Sequence, residues 1–208
     1  LLQQPHSKIY TVTAKTMGKS FQLSNYNYLK IDHPYATILP QVHLLNYLAS
    51  EGRKYPNFNL LMGANVHELI EENGAVRGVR LNGLDGPAEI RATLTIGADG
   101  RTSTIRRLAQ FKLIENPPLM DILWFRLPRH PHESHQGDLP LYMGRGFYIG
   151  LTNHFNYRQV AYVIRKGAFF EIREAGLAQW KKSIVDLVPH LQDRIAEIQD
   201  WRQVMVLS

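Results

Sequence analysis

One segment of the chain runs directly from a strand pattern into a helix pattern. Residues 92–111 read ATLTIGADGRTSTIRRLAQF. Alternating apolar residues in the first part are typical of a β-strand, and the residues from about Thr102 to Gln110 predict a helix. The intervening Gly-Ala-Asp-Gly places Asp99 and Gly100 at the tip of the strand. A strand that passes at once into a helix favours an α/β arrangement.

This strand-to-helix turn has the chemistry of a nucleotide contact. Unpaired amides at a helix N-terminus attract phosphate, and the carboxylate of Asp99 can accept hydrogen bonds from sugar hydroxyls. Gly100 permits a sharp turn and a close approach of a ligand. Ser103 or Thr102 can cap the helix, and Arg106 can pair with Asp99 or with phosphate. An ordinary capped turn explains the same spacing equally well, so the residues alone leave both interpretations open.

Two hairpins and a helix are predicted before this turn. Met17-Gly18 separates two alternating runs, and Asn73-Gly74 is a strong two-residue hairpin signal. A second turn is expected over 82–86. Pro40 suits the first position of a helix that Tyr55-Pro56 ends. The apolar face of this helix would consist of Val42, Leu45, Leu48 and Ala49.

The second half of the chain predicts an antiparallel sheet followed by helices. The runs 120–127, 141–152 and 158–166 have strand patterns, and Gly144–Gly146 reads as a hairpin turn. Helices are expected from Ala168 onward, with a new helix beginning at Pro189. Five aromatic residues on the strands could line an apolar pocket, although core packing is the simpler interpretation; they are Trp124, Phe125, Tyr142, Phe147 and Tyr148.

Composition excludes several functional classes. The 208 residues include no cysteine, which rules out disulfides, thiolate catalysis and cysteine-ligated metals, and fits a reducing, cytoplasmic compartment. No apolar run is long enough to predict a transmembrane span. The net charge of +6 is scattered along the sequence, so nucleic-acid binding is weakly supported. A basic surface that attracts anionic small molecules is the plainer explanation.

The segment GADGRTSTIR resembles the Gly-Ala-Asp-Gly-x-x-Ser-x-x-Arg motif of the single-component FAD-dependent aromatic hydroxylases. Asp99, Gly100, Ser103 and Arg106 fall on the motif. ILPQVHLLNYL is similar to a helix opening in the same flavoprotein monooxygenase family, with Gln41 where arginine is usual. NVHELIEENGAVRGVRL and the run from Lys166 to Ile195 also resemble segments of that family, so the likeness extends over most of the chain.

The resemblance implies a set of contacts with FAD. Asp99 and Gly100 would lie near the pyrophosphate and ribose and help the passage of NADH or NADPH. Ser103 and Arg106 belong to the same cofactor-binding motif. Gln41 would lie near the flavin or pyrophosphate, and the backbone of Val66 would contact the adenine end. The resemblance gives no catalytic acid or base and no metal site, because the cofactor itself carries the chemistry.

The function implied is an FAD-dependent monooxygenase that uses NAD(P)H and O2 to hydroxylate an apolar or aromatic small molecule. A prenyl reductase or a halogenase of the same fold is the alternative, which the motif does not separate. Part of a Rossmann-like FAD-binding domain would occupy residues 37–110. An antiparallel substrate domain would combine 1–36 with 111–182, and 183–208 would lead back to the FAD domain.

Two motifs of the family are absent from the sequence. The chain contains no Gly-x-Gly-x-x-Gly turn, and its only Gly-Asp pair, Gly137-Asp138, is followed by Leu139-Pro140 rather than by the pattern that leads to histidine. These motifs flank the matching part in the family. We therefore expect an internal piece of a longer protein.

Two other functions are weighed against the flavoenzyme. His130, His132 and His135 approach the His-x-His-x-Asp-His motif of metal-dependent hydrolases, but Ser134 replaces the aspartate. A polar loop is the favoured interpretation. TAKTMGKS ends like a phosphate-binding loop but has Thr13 where that motif needs glycine. The basic charge also allows a non-catalytic module for anionic ligands.

Overall fold

The computed structural model describes residues 1–16, 18–114, 116, 118–133 and 137–207. The chain forms two compact units, one from residues 1–47 and 117–208 and the other from residues 48–116. None of the described helices is both long and apolar enough to cross a membrane.

Strands and helices are both present, which gives the mixed α/β class expected from the sequence. The strands are β1 Ser7–Thr16, β2 Lys19–Asn25, β3 Ala36–Ile38, β4 Asn65–Glu72, β5 Ala75–Gly83, β6 Gly86–Arg91, β7 Met120–Pro128, β8 Gly137–Met143, β9 Phe147–Asn153, β10 Tyr157–Arg165 and β11 Met205–Leu207. The helices are α1 Gln41–Gly52, α2 Thr104–Leu108, α3 Phe169–Ala175, α4 Leu177–Leu187 and α5 Gln192–Ile195. Short 3-10 helices cover Tyr26–Tyr28, Pro189–Leu191 and Trp201–Gln203.

The first unit is built on an eight-stranded sheet in the order β11-β7-β10-β9-β8-β1-β2, with β3 paired to β1. The predicted β1–β2 hairpin is confirmed, as are the antiparallel strands β7, β9 and β10. β1 and β8 pair in parallel. Gly144–Gly146 forms the turn between β8 and β9, as expected.

The core of the first unit lies between this sheet and α4. Leu123, Phe125 and Leu127 alternate with exposed residues on β7, so one face of the strand is buried. Trp180 of α4 packs edge-on against Phe125 with ring centroids 5.0 Å apart, and Ile184 follows one turn later. Each side chain buried in this way contributes about 1.5–3 kcal/mol.

The second unit contains the antiparallel sheet β4-β5-β6. Asn73 and Gly74 have φ of 52° and 74°, which is the left-handed pair that a two-residue β4–β5 hairpin needs. The turn expected over 82–86 also forms, because Gly83 pairs with Gly86 at the start of β6.

The strand expected immediately before the Gly-Ala-Asp-Gly turn was wrong, because a strand depends on a partner. Residues 92–100 belong to no described strand, and Leu94 and Ile96 are exposed. A strand is completed by hydrogen bonds from a neighbour; the Ala92 amide donates to the Arg77 carbonyl of β5 at 2.9 Å, and residues 93–100 pair with none of the described strands. α1 forms as expected, yet Val42 and Leu45 on its apolar face are more than half exposed.

A buried ionic cluster fastens the loop after β7 to α5. Arg194 Nη1 lies 2.7 Å from Glu133 Oε1, and Arg158 Nη2 lies 3.3 Å from Glu133 Oε2. Burial raises the pKa of Glu133, but the Arg194 hydrogen bond and the Arg158 charge outweigh it, so the pKa lies below its usual value. Both arginines are almost fully buried, so Glu133 pairs with two buried charges, one of which, Arg194, also contacts the exposed Asp193.

We expect Glu133→Gln to lower the free energy of unfolding of the first unit by about 3 kcal/mol, because it removes the carboxylate paired with buried Arg158 and leaves buried Arg194 with only the exposed Asp193. Asp193→Asn is the control, since that exposed carboxylate also contacts Arg194 and should contribute less than about 1 kcal/mol. Urea unfolding at pH 7 measures both. A folded-state pKa below the unfolded value means that the contribution is complete above pH 4.5 and is lost as the pH falls through the folded-state pKa.

We expect Gly78→Ala to destabilise the second unit by about 2 kcal/mol or more. Gly78 has φ of 146°, and a Cβ there would lie 2.1 Å from the Ile90 carbonyl oxygen. Gly83→Ala is the matched control, because its added Cβ would meet atoms no nearer than 3.6 Å. Equal urea midpoints for the two variants would contradict the close strand contact at Gly78.

Candidate cofactor site

Asp99 and Ser103 close the N-terminus of α2. Ser103 Oγ donates a hydrogen bond to Asp99 Oδ1 and accepts one from the Arg106 amide at 3.0 Å. Asp99 Oδ2 accepts a hydrogen bond from the Ile105 amide at 3.1 Å. Ser103 is therefore the N-cap, one of the two capping residues that the sequence suggested.

The carboxylate of Asp99 is stabilised in its charged form. The Ser103 hydroxyl, and then the Ile105 amide, lower the pKa of Asp99 below its ordinary value. The side chain thus remains an anion and a hydrogen-bond acceptor at neutral pH. The Asp99 carboxylate also accepts a hydrogen bond from the Ile105 amide of α2, so the chain itself caps the end of this short helix. The carboxylate can accept hydrogen bonds from further donors.

Two glycines determine the shape of the turn. Gly100 has φ of 82°, a left-handed conformation that favours glycine. Gly97 lets the extended segment approach α2, because a Cβ there would lie 2.7 Å from the side chain of Ile105. The sequence reasoning gave no role to Gly97, since this contact is visible only when α2 is folded back.

The Arg106 guanidinium supports the turn by donating hydrogen bonds to backbone carbonyls of the same segment. Its Nη2 donates to the Arg101 carbonyl at 2.5 Å, and its Nη1 lies 3.4 Å from the Gly100 carbonyl. The guanidinium therefore contacts backbone carbonyls, and the suggested pairing with Asp99 is not formed. This position makes Arg106 a residue that holds the loop in place.

A cavity of about 500 Å³ adjoins the turn within the second unit. Asp99, Val66 and Thr95 line it, and the buried Thr95 hydroxyl has no hydrogen-bond partner. Val66 lies next to an irregularity in the β4–β5 pairing, which interrupts the regular ladder at this edge strand. An anionic acceptor, an unsatisfied hydroxyl and apolar walls fit the hydroxyl-bearing and ring parts of a nucleotide cofactor such as FAD.

Gln41 lines a different cavity, of about 720 Å³, in the first unit. Gln41 begins α1, and the carbonyl of the preceding Pro40 accepts hydrogen bonds from amides of the first helical turn. The cavity runs along β7 and β11, where its other lining residues are Trp124, Phe125, Arg126, Gln159, Ile198, Arg202, Gln203, Met205 and Leu207. Val66 and Asp99 therefore line the same cavity, whereas Gln41 lines a different one.

The five strand aromatics divide between core and cavity. Phe125 and Phe147 pack in the core, the latter stacked on Tyr162 with centroids 4.6 Å apart. Tyr142 also packs against the core. Trp124, on the opposite side of β7 from Phe125, is 37% exposed and lines the Gln41 cavity. Both interpretations therefore hold in part, because Phe125, Phe147 and Tyr142 pack in or against the core, while all five aromatics, Tyr148 included, also line cavities of the first unit.

Among the described residues, histidines of the loop after β7 make contacts within the protein rather than forming a metal-binding group. His130 Nε2 lies 2.6 Å from Asp193 Oδ2, and the His132 ring stacks on His130. Within residues 1–133 and 137–207, apart from the three undescribed positions, no group of three potential metal ligands is found. His135 and Ser134 of the sequence motif lie outside the described residues.

We expect Ser103→Ala to lower the free energy of unfolding of the second unit by about 1 kcal/mol, the usual effect of losing an N-cap. Ser103→Thr should retain most of the stability, because its hydroxyl can make the same bonds. The Asp99 contribution should be complete above the ordinary pKa of 3.8 and be lost as the pH falls through the lower folded-state value. Thermal melts of the three proteins between pH 3 and pH 7 check both statements; equal melting of Ser103→Ala and the parent would contradict the cap.

Comparison with known proteins agrees with this geometry. The sequence profile of the FAD binding domain family matches residues 4–136. The 6-methylpretetramide 4-monooxygenase of Streptomyces rimosus is 30% identical over 198 residues, covering 89% of this chain and 45% of that protein.

Solved structures share the fold at lower identity. PqsL, a probable FAD-dependent monooxygenase from Pseudomonas aeruginosa, has a TM-score of 0.74 at 16% identity, covering 100% of this chain and 57% of that one. The myxobacterial chondrochloren halogenase CndH has a TM-score of 0.71 at 14% identity, covering 98% and 48%. The chain spans about half the length of these proteins. By its sequence, it belongs to the FAD binding domain family.

Proposed function

We propose that the protein containing this chain is an FAD-dependent monooxygenase that uses NADH or NADPH and O2 to hydroxylate an apolar or aromatic small molecule. The Asp99–Ser103 turn beside a cavity with an unsatisfied Thr95 hydroxyl is the observation that carries the proposal. The relative from Streptomyces rimosus, itself named as a monooxygenase, supports hydroxylation rather than another flavin reaction. The reductant is a soluble nucleotide of the cytoplasm, and we place the reaction there.

The cofactor contacts follow from the cavity of the second unit. Asp99 would accept hydrogen bonds from ribose hydroxyls, and Thr95 would supply a further hydroxyl. Val66 would contact the adenine end from its edge strand. Gly100, Ser103 and Arg106 would act through the shape of the turn, because two of them hold backbone groups or Asp99 itself. Bound FAD supplies the redox and oxygen chemistry.

The first unit would provide the substrate wall. Trp124, Met205 and Leu207 would give a bound aromatic ring an apolar surface within the Gln41 cavity. Gln41 would orient a polar group of FAD or substrate at the rim. The proposed FAD part over 37–110 overlaps the second unit, and the proposed substrate parts overlap the first.

We expect Asp99→Ala to weaken FAD binding by about 10-fold to 100-fold in protein produced from the complete native gene, since a charged acceptor is lost. Asp85→Ala is the matched control, because Asp85 lies in the β5–β6 turn of the same unit. Quenching of flavin fluorescence measures the affinity. Ser103→Ala separates the two roles of Asp99: an equal loss in that variant would mean that the folded turn, rather than the carboxylate contact, holds FAD.

The reaction itself is tested by supplying NADPH, 18O2 and a panel of phenolic and polycyclic aromatic substrates. We expect one 18O atom in the product and substrate-stimulated oxidation of NADPH. The same assay with bromide and chloride covers the halogenase alternative, which shares only the fold. A protein that purifies with no flavin and binds none would contradict the proposal.

A further inference from the structure

The first unit contains a second concave region, separate from the Gln41 cavity. Two adjoining cavities, of about 400 and 530 Å³, share Thr16 and Leu187. They form one groove between the end of α4, the β1–β2 hairpin and the β8–β9 turn, which we call the α4 groove. The groove and the Gln41 cavity share no lining residue.

Three cationic side chains line the α4 groove. Lys15 and Lys19 line one end and Arg145 the other. Within the part of the chain that the structure describes, none of the three forms an ion pair with a carboxylate. The single acidic residue that lines the groove, Asp186, is already 2.5 Å from Lys182.

The buried surroundings of the groove add to its positive potential. Lys15 Nζ lies 5.4 Å from the centroid of the Tyr142 ring, which in turn lies 6.0 Å from the ring of His190. Glu133 pairs with both Arg158 and Arg194, Asp193 pairs with Arg194 as well, and Arg158 Nη1 is buried without a hydrogen-bond partner. Burial first, and then these two arginines and Lys15, lower the pKa of His190, so the field of the cations extends through this region.

The middle of the groove is apolar. Phe147, Met143 and Leu187 line it, and hydroxyl groups of Thr16, Ser20 and Ser183 lie along its length. Cations at the ends therefore flank a surface that can cover a small apolar group. A free inorganic ion would use only part of this surface.

We propose that the α4 groove binds a small organic phosphate, with the phosphate between Lys15 and Lys19 and the apolar body against Met143 and Leu187. The site is separate from the proposed FAD contacts and does not depend on them. The sequence KTMGKS belongs to this groove as a hairpin and not as a phosphate-binding loop, because Thr16 and Lys19 are paired ends of β1 and β2.

Phenyl phosphate and inorganic phosphate are suitable probes for the 208-residue chain. We expect phenyl phosphate to shift backbone resonances of the β1–β2 hairpin, the β8–β9 turn and the end of α4 in an NMR titration at low ionic strength. Lys15→Gln/Lys19→Gln should weaken its binding by at least about fivefold, because two favourable charge interactions are lost. Circular dichroism confirms that each variant is folded.

Lys30→Gln/Lys112→Gln is the matched control, because it removes the same charge from two exposed lysines that do not line the groove. Its affinity should equal that of the parent. Equal weakening in both double variants would overturn the proposal, since it would show attraction to net charge alone.

Met143→Ser tests the apolar half of the proposal. This variant should weaken phenyl phosphate while leaving inorganic phosphate unchanged, because only the ring contacts Met143. Unchanged binding of both probes would overturn the assignment of the organic body to the groove. Shifts confined to residues outside the three named elements would overturn the site itself.

Discussion

The pleat of β7 separates the two surfaces on which the first unit depends. Leu123, Phe125 and Leu127 belong to the buried core with Trp180 of α4, while the neighbouring Trp124 is exposed and lines the Gln41 cavity, which Phe125 also borders. A shift of one residue in the β7–β10 pairing would exchange these two sets. Gln159 helps to fix the register, because its side-chain amide donates to the Phe125 carbonyl at 2.6 Å within the buried sheet. The core and the proposed substrate wall are thus consequences of one strand pairing.

Features specified by neighbouring residues were predictable from the sequence. Asn73-Gly74 adopts the left-handed pair that a tight hairpin requires, and Ser103 caps α2 because an N-cap needs only a hydroxyl and the amide three residues later. The alternation in β7 indicated a half-buried strand for the same reason. In each case the relevant energy is set within a few residues.

Features that need a distant partner were not predictable. Leu94 and Ile96 alternate like strand residues, yet they are exposed because no described strand pairs with them. The apolar face of α1 likewise lacks cover at Val42. Arg106 had two plausible anionic partners by spacing, but the folded turn brings backbone carbonyls within its reach first. The sequence pattern shows which groups need a packing or hydrogen-bond partner, and only the fold determines which residue becomes that partner.

The distribution of charge shows the same distinction more sharply. Lys15 and Lys19 lie close together in the sequence, Arg145 lies far from both, and the three looked like scattered surface charge. The parallel pairing of β1 with β8 brings the first two beside the β8–β9 turn that carries the third. Asp186, the acidic residue that lines the groove, is already paired with Lys182. Charge that is scattered along the sequence therefore becomes a local excess of positive charge, because strand pairing gathers three cations around one groove whose acidic lining residue already has a partner.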